Sequence, residues 1–190
     1  MADSAAGVRH APPPATRSTP RHRAQPSRGR GVSYREGRFW QPDVTVATVV
    51  VDGPRMLFVE ERVAGALVLN QPAGHLEPDE TLAAAALRET LEETGWTVHL
   101  TAFIGAYQWQ APGAGGAAVR HFLRFAFAAL PLAHDPVRTL DDGIVRTLWL
   151  TPAELQAERA RLRSPLVWAA VEDFLGGRRH PLDILQHVDG

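Results

Sequence analysis

The chain has 190 residues and 20.7 kDa, with 45% hydrophobic and 22% charged residues, which sets aside disordered and fibrous classes and gives a prior for one domain. It contains no cysteine, so disulfide scaffolds, thiolate zinc sites and cysteine nucleophiles are excluded, and no apolar run approaches the roughly 18 residues of a membrane-spanning helix. The net charge of −1 hides a split: residues 1–38 carry eight arginines against Asp3 and Glu36, whereas residues 39–190 carry 12 arginines against 19 acids.

The basic stretch also holds Pro12, Pro13, Pro14, Pro20 and Pro26 and almost no large aliphatics. It has too little apolar surface to offset chain entropy and is predicted to be a disordered tail. An arm for nucleic acid and a transit peptide are the sharper readings. However, all 20 basic residues of the chain are arginine, so arginine richness is a compositional habit here. A solvated tail, or an over-called start codon, is the preferred explanation, and nucleic acid is not expected as a partner. No apolar h-region for secretion is present, and the chain is expected to be soluble and cytoplasmic.

The folded domain is predicted over residues 39–175, followed by a C-terminal extension, 176–190. Val44 to Val51 is almost wholly β-branched and reads as a buried strand. Asp52-Gly53-Pro54 makes a turn and Met56 to Glu60 returns, which predicts a hairpin. A short segment, Ala66 to Leu69, precedes Asn70-Gln71-Pro72-Ala73-Gly74. Pro78 and Asp79 are read as opening a helix that runs to Thr94 and stops at Gly95. Trp96 to Trp109 and Val119 to Leu130 form a second antiparallel pair around the Pro/Gly-rich 111–116 loop. Ile144 to Leu150 is one more strand. Thr151-Pro152 and Ser164-Pro165 each combine an N-cap with proline at the first helical position, the second helix ending near Leu175. Strands come first with helices inserted among them, which argues an α/β sandwich with a mixed sheet.

The Asp79–Thr94 helix carries the chemistry. At about 100° per residue, Ala84, Leu87 and Leu91 share one side, which is expected to dock on the sheet. Glu89, Glu92 and Glu93 share the other. Most such faces are simply solvated. Here like charges at i,i+3 and i,i+4 oppose the helix, and they lie in its C-terminal half, where the dipole disfavours anions. A run placed against both preferences invites a cation, and three hard oxygen ligands suit Mg²⁺ or Mn²⁺.

Gly74, Glu80, Arg88-Glu89-Thr90-Leu91-Glu92-Glu93-Thr94-Gly95-Trp96 match the pattern G-x5-E-x7-R-E-U-x-E-E-x-G-U, where U is a bulky aliphatic. On this run the chain resembles the Nudix family: all seven fixed positions agree, with Thr90 and Trp96 as departures at the U positions. The resemblance implies an α/β/α sandwich with a loop–helix–loop metal site. It implies Glu89, Glu92 and Glu93 as ligands of Mg²⁺ (or Mn²⁺), joined by the backbone carbonyl of Ala73, with Glu89 or Glu92 as general base. It also implies Gly74, Glu80, Arg88 and Gly95 as motif support, Glu80 and Arg88 as a bracing pair.

Further segments, Asn70 to Glu77, Gln108-Trp109 with Ala111-Pro112, Leu123-Arg124-Phe125 and Arg163 to Val167, are similar to the NudJ-type phosphatase subgroup of that family. That similarity implies removal of phosphate from nucleoside di- or triphosphates and from the pyrimidine diphosphate precursor of thiamine. Other Nudix specificities (ADP-ribose, dinucleoside polyphosphates) and a non-catalytic nucleotide-binding module are the alternatives, and a monomer or a homodimer is compatible. Trp109 and Tyr107 are candidates to stack a substrate ring, with a core role as the competing reading, and strand alternation places them on one face. Arg120 and Arg124 are candidates to pair with phosphate. Ser164 is read as a helix cap.

Overall fold

The computed structural model describes residues 40–112 and 119–188, so the expectations made for residues 1–38 and for the centre of the 111–116 loop fall outside it. Its elements in chain order are β1 (Asp43–Asp52), β2 (Arg55–Val63), β3 (Ala66–Asn70), β4 (Ala73–His75), α1 (Leu82–Thr94), β5 (Trp96–Ala111), β6 (Arg120–His134), β7 (Ile144–Leu150), α2 (Pro152–Ala157) and α3 (Pro165–Leu175). The strands form one sheet in the order β3-β2-β1-β6-β5, with β4 paired to β1 and β7 to β2. β6 runs parallel to β1 and the remaining pairs are antiparallel, so the sheet is mixed.

Period-two alternation divides the side chains between two cores. Val46 and Val50 of β1 and Phe127 and Ala129 of β6 face α1, where Ala85 and Ala86 meet them. Val49 and the intervening Ala126 and Ala128 face the other side, against Leu155 of α2 and Val167, Ala170 and Val171 of α3. This is the expected α/β/α sandwich. The predicted β1–β2 hairpin forms, but only two rungs join the strands, Val51↔Met56 and Asp52↔Arg55. Beyond them β1 turns to β4 and β6 while β2 turns to β3 and β7. The cleft lined by Thr45, Glu61 and Asn70 of the diverging strands holds the candidate site.

Two expectations about α1 are corrected. The helix begins at Leu82, not at Asp79: Thr81 is the N-cap, its hydroxyl accepting the Ala84 N–H at 3.1 Å, and Asp79 sits in a turn at φ +64°. Its docking face is also different. Ala85, Ala86, Glu89, Thr90 and Thr94 are buried, whereas Leu87 is 39% exposed. Small side chains let the helix lie close to β1, where the Thr48 and Thr90 hydroxyls meet at 2.7 Å and Thr90 also donates to the Ala86 carbonyl. Thr90, a departure from the aliphatic preference, is therefore matched by a partner hydroxyl. Trp96, the other departure, stacks on His134 and meets Trp149 edge-on.

The segment after α3 returns to the sheet. Phe103 and His180 exchange backbone hydrogen bonds of 2.9 and 2.8 Å, and Leu182 and Leu185 pack on the α1-side core.

Glu60 lies buried in β2, bonded by Arg146 from β7 at 2.8 Å and by Arg161 from the turn before α3. Bonds from Arg146 and then Arg161 hold its carboxyl below the usual value of 4.5. A carboxyl with a depressed folded pKa contributes stability above its unfolded pKa and loses it as pH falls through the folded value. Melting temperature should therefore fall below about pH 4.5. Glu60→Gln should flatten that part of the profile, and an unchanged acid limb in the variant would remove Glu60 from the cause.

Candidate active site

Arg88 organises the charged face of α1. It grips Glu80 with both ends of its fork (3.1 and 2.7 Å), while its other nitrogen donates to Glu89 and Glu92 at 2.9 Å each. A further bond, 3.1 Å, goes to the His75 carbonyl of β4. The carboxylates that looked mutually repulsive in sequence are thus partly compensated within their own helix. The expected Glu80–Arg88 pair is present, and Glu80 also accepts the Glu77 N–H at 2.8 Å.

Glu89 and Glu93 point past the helix into the cleft. A Cβ on Gly74 would lie inside the Glu89 carboxylate, so the glycine is there to let that side chain through. Glu93 accepts the Ala73 N–H at 2.9 Å, which ties the helix to β4. Gly95 ends α1 at φ +70°, its N–H bonded to the Leu91 carbonyl.

Burial pushes the Glu93 carboxyl up to about 8; the Ala73 N–H opposes this, and the nearby charges of Glu89, Glu61 and Asp141 reinforce it. Burial also raises Glu89, against the pull of Arg88. Carboxylates desolvated together in one cleft, offering oxygen donors only, fit a hard divalent cation. The apparent cost of ionising Glu93 is what a cation would remove. Among the described residues the side chains do not, as they stand, make a closed cluster of three ligands. Arg88 occupies Glu89 and Glu92 instead.

The cavity, about 620 Å³, is lined by Glu89, Glu93, Ala73 and Gly74 together with Trp109, Phe122, Arg120, Arg124, Arg163 and Ser164. Trp109 stacks on Phe122 with ring centroids 5.4 Å apart, so its ring forms part of the wall. Tyr107 does not line it. Its hydroxyl donates to Asp173 of α3 at 2.8 Å and its ring packs on the α3-side core, with burial raising its pKa. Alternation groups Tyr107 with Trp109 on one face, but Tyr107 is bonded to α3 whereas Trp109 lines the cavity. Arg124 is buried, touches the Thr45 hydroxyl at 3.4 Å and faces Glu93 and Glu61; burial lowers its pKa to about 10.

Three lining residues carried little sequence signal as site residues. Glu61 has a buried oxygen without a partner and accepts from Arg163 at 3.2 Å. Asn70 has an unpartnered buried oxygen. Ser164 is the N-cap of α3, yet its hydroxyl makes no cap bond, which corrects the reading of it as a capping side chain.

A mixed sheet that forks around a glycine–helix element bearing Arg88 and three glutamates defines a Nudix domain. The NUDIX domain family model matches residues 41–169, and the chain belongs to the Nudix hydrolases. It is 40% identical over 147 residues to Phosphatase NudJ of Escherichia coli strain K12, covering 77% of this chain and 92% of that protein, and matches the Shigella flexneri Phosphatase NudJ equally. A NUDIX hydrolase from Nitrosomonas europaea superposes with a TM-score of 0.74 at 45% identity, covering 79% of this chain and 99% of that one. The fold alone is shared, at 22% identity and TM-score 0.50, with a Francisella tularensis NMN adenylyltransferase/ADP ribose pyrophosphatase complexed with AMP and a Mn ion; 76% of this chain and 44% of that one are covered. No helix among the described residues is long and apolar enough to cross a membrane.

Proposed function

We propose that the protein is a divalent-metal-dependent, cytoplasmic phosphatase of the NudJ kind, which removes phosphate from nucleoside di- or triphosphates. The pyrimidine diphosphate precursor of thiamine is a further candidate substrate. The observation that carries this reading is one cavity that combines the Glu89 and Glu93 carboxylates with an aromatic wall at Trp109 and a buried cation at Arg124. The 40% identity to proteins described as phosphatases supports it.

In this reading Glu89, Glu92 and Glu93 hold Mg²⁺ or Mn²⁺, with the Ala73 carbonyl as a further ligand. The cation supplies charge neutralisation at the phosphoryl oxygens. Of the two candidate bases, Glu89 lines the cavity and Glu92 does not, so Glu89 is the better placed to accept a proton from water. Arg88 orients both. The Trp109 face presents a surface for a base or pyrimidine ring, and the phosphates extend from it toward the carboxylates. Catalysis is then chiefly positioning and electrostatics.

The test is a product assay. Free orthophosphate should appear from a nucleoside diphosphate in the presence of Mg²⁺ and stop on addition of EDTA. Cleavage of ADP-ribose or a dinucleoside polyphosphate into two phosphorylated products, without orthophosphate from nucleoside diphosphates, would overturn the assignment.

A further inference from the structure

The cavity that holds the carboxylates is also lined by groups that local structure leaves unused. Arg124 is 7% exposed, on β6 between β1 and β5. Its Nε makes one long bond, to the Thr45 hydroxyl, and its Nη1 has no hydrogen-bond partner among the described residues. A guanidinium has five N–H donors and is expensive to bury without acceptors. The other arginines of the wall are committed: Arg163 to Glu61 at 3.2 Å and Arg120 to Asp43 at 3.0 Å.

Ser164, 8% exposed, adds an independent anomaly. Serine before proline at a helix start normally turns its hydroxyl onto a first-turn N–H. Here the N-cap φ and ψ are −160° and 165°, the hydroxyl caps nothing, and the oxygen is buried without a partner. α3, 11 residues long, therefore keeps its positive end uncapped by that side chain, and Leu166 of its first turn lines the same cavity. A guanidinium and a hydroxyl that each bury an unpartnered polar atom, and a helix N-terminus, all among the residues lining one cavity, make an anion-binding set.

We propose that Arg124, Ser164 and the first turn of α3 form an anion subsite that takes a phosphate group, within the cavity that also holds the Glu89 and Glu93 carboxylates. The inference rests on the proposed phosphatase reading only for the identity of the full substrate. The cavity lining joins Glu89 and Glu93 with Arg124, Ser164 and Leu166 of α3, and Arg124 itself feels the charges of Glu93 and Glu61. A diphosphate can place one phosphoryl group on Arg124 and Ser164 and extend the other toward the carboxylates, whereas a monophosphate engages one set. Arg124 and Ser164 thus select for the phosphate chain, and Trp109 for what it is attached to.

The probe is inorganic phosphate, titrated by calorimetry into metal-free, full-length protein in EDTA, so that neither a metal nor a nucleoside contributes. The wild-type protein should bind, and Ser164→Ala should weaken binding about tenfold, the scale of one hydrogen bond to a charged acceptor. Because that hydroxyl has no partner, Ser164→Ala should keep or raise the melting temperature. A structural cap would do the opposite. Arg124→Lys, which retains the charge and loses the fork, should also weaken phosphate binding in protein shown to be folded by circular dichroism. No binding by the wild type, or unchanged affinity in Ser164→Ala, overturns the subsite. Methylenediphosphonate separates the two sources of the anion: a parallel loss assigns the site to a phosphoryl group of substrate, and a loss for orthophosphate alone assigns it to departing product. If the subsite binds phosphate but no nucleoside diphosphate is hydrolysed, the substrate reading fails and the subsite stands.

Discussion

Glu93→Gln should lower turnover with Mg²⁺ on the order of 100- to 1000-fold, the scale of losing one preorganised electrostatic contact, while the fold persists. The amide oxygen of glutamine can accept the Ala73 N–H that Glu93 accepts at 2.9 Å, in the same volume. The substitution also removes a carboxyl that burial holds at a pKa of about 8 and that Glu89, Glu61 and Asp141 crowd. The metal-free variant should therefore melt at or above the wild-type temperature. The discriminating measurement is the response to metal. A cation bound only by the folded state stabilises by about 2.7 kcal/mol at 100 times its Kd, and Glu93→Gln should lose most of that shift. A variant with a normal Mg²⁺-induced shift and normal turnover would remove Glu93 from the ligand set.

Gly74→Ala should be nearly as damaging, for a steric reason. Gly74 is not among the residues with positive φ, so alanine suits its backbone and only the space is wrong. The new methyl would overlap the Glu89 carboxylate. Neither partner yields easily: β4 is in register with β1 at Val46↔Gly74, and Glu89 is held by Arg88 at 2.9 Å. Overpacking of this kind costs about 1–3 kcal/mol, which lowers the melting temperature by about 2–4 °C per kcal/mol in a chain of this size. Activity should approach background because Glu89 is displaced. Adding Glu89→Ala makes room, so the double variant should regain stability without regaining activity. If it stays as unstable as Gly74→Ala, the clash is not the cause.

Strands, turns and the end of α1 were legible because each rests on local chemistry: the β-branched run of β1, the apolar and aromatic runs of β5 and β6, Gly53 in the first turn, Gly95 at the helix terminus. The start of α1 was misplaced because Pro78-Asp79 is as good a helix-opening signal as Thr81, and only the three-dimensional course of residues 79–81 decides between them. The inward face was misassigned because leucine was weighed above alanine and threonine. Close approach to β1 selected Ala85, Ala86 and Thr90. The carboxylate face was legible by its pattern, and its compensation by Arg88 was not. Glu61 and Arg163 were invisible as partners because 102 residues separate them. Tyr107 and Trp109 are indistinguishable by periodicity, and the position of α3 alone tells them apart.

The Arg88 fork has a consequence for how a cation would enter. Glu89 and Glu92 already share part of the charge of an internal counter-ion that is also anchored to Glu80 and to the His75 carbonyl. On the proposed reading, loading would be an exchange, in which the guanidinium gives up Glu89 and Glu92 and falls back on two partners it already has. The shared guanidinium eases the mutual repulsion of Glu89 and Glu92 in the resting fold. The same competition would weaken apparent affinity and make a bound ion easier to release. The arginine would act as a buffer of charge, offsetting part of the acidity of the helix face proposed to grip a cation.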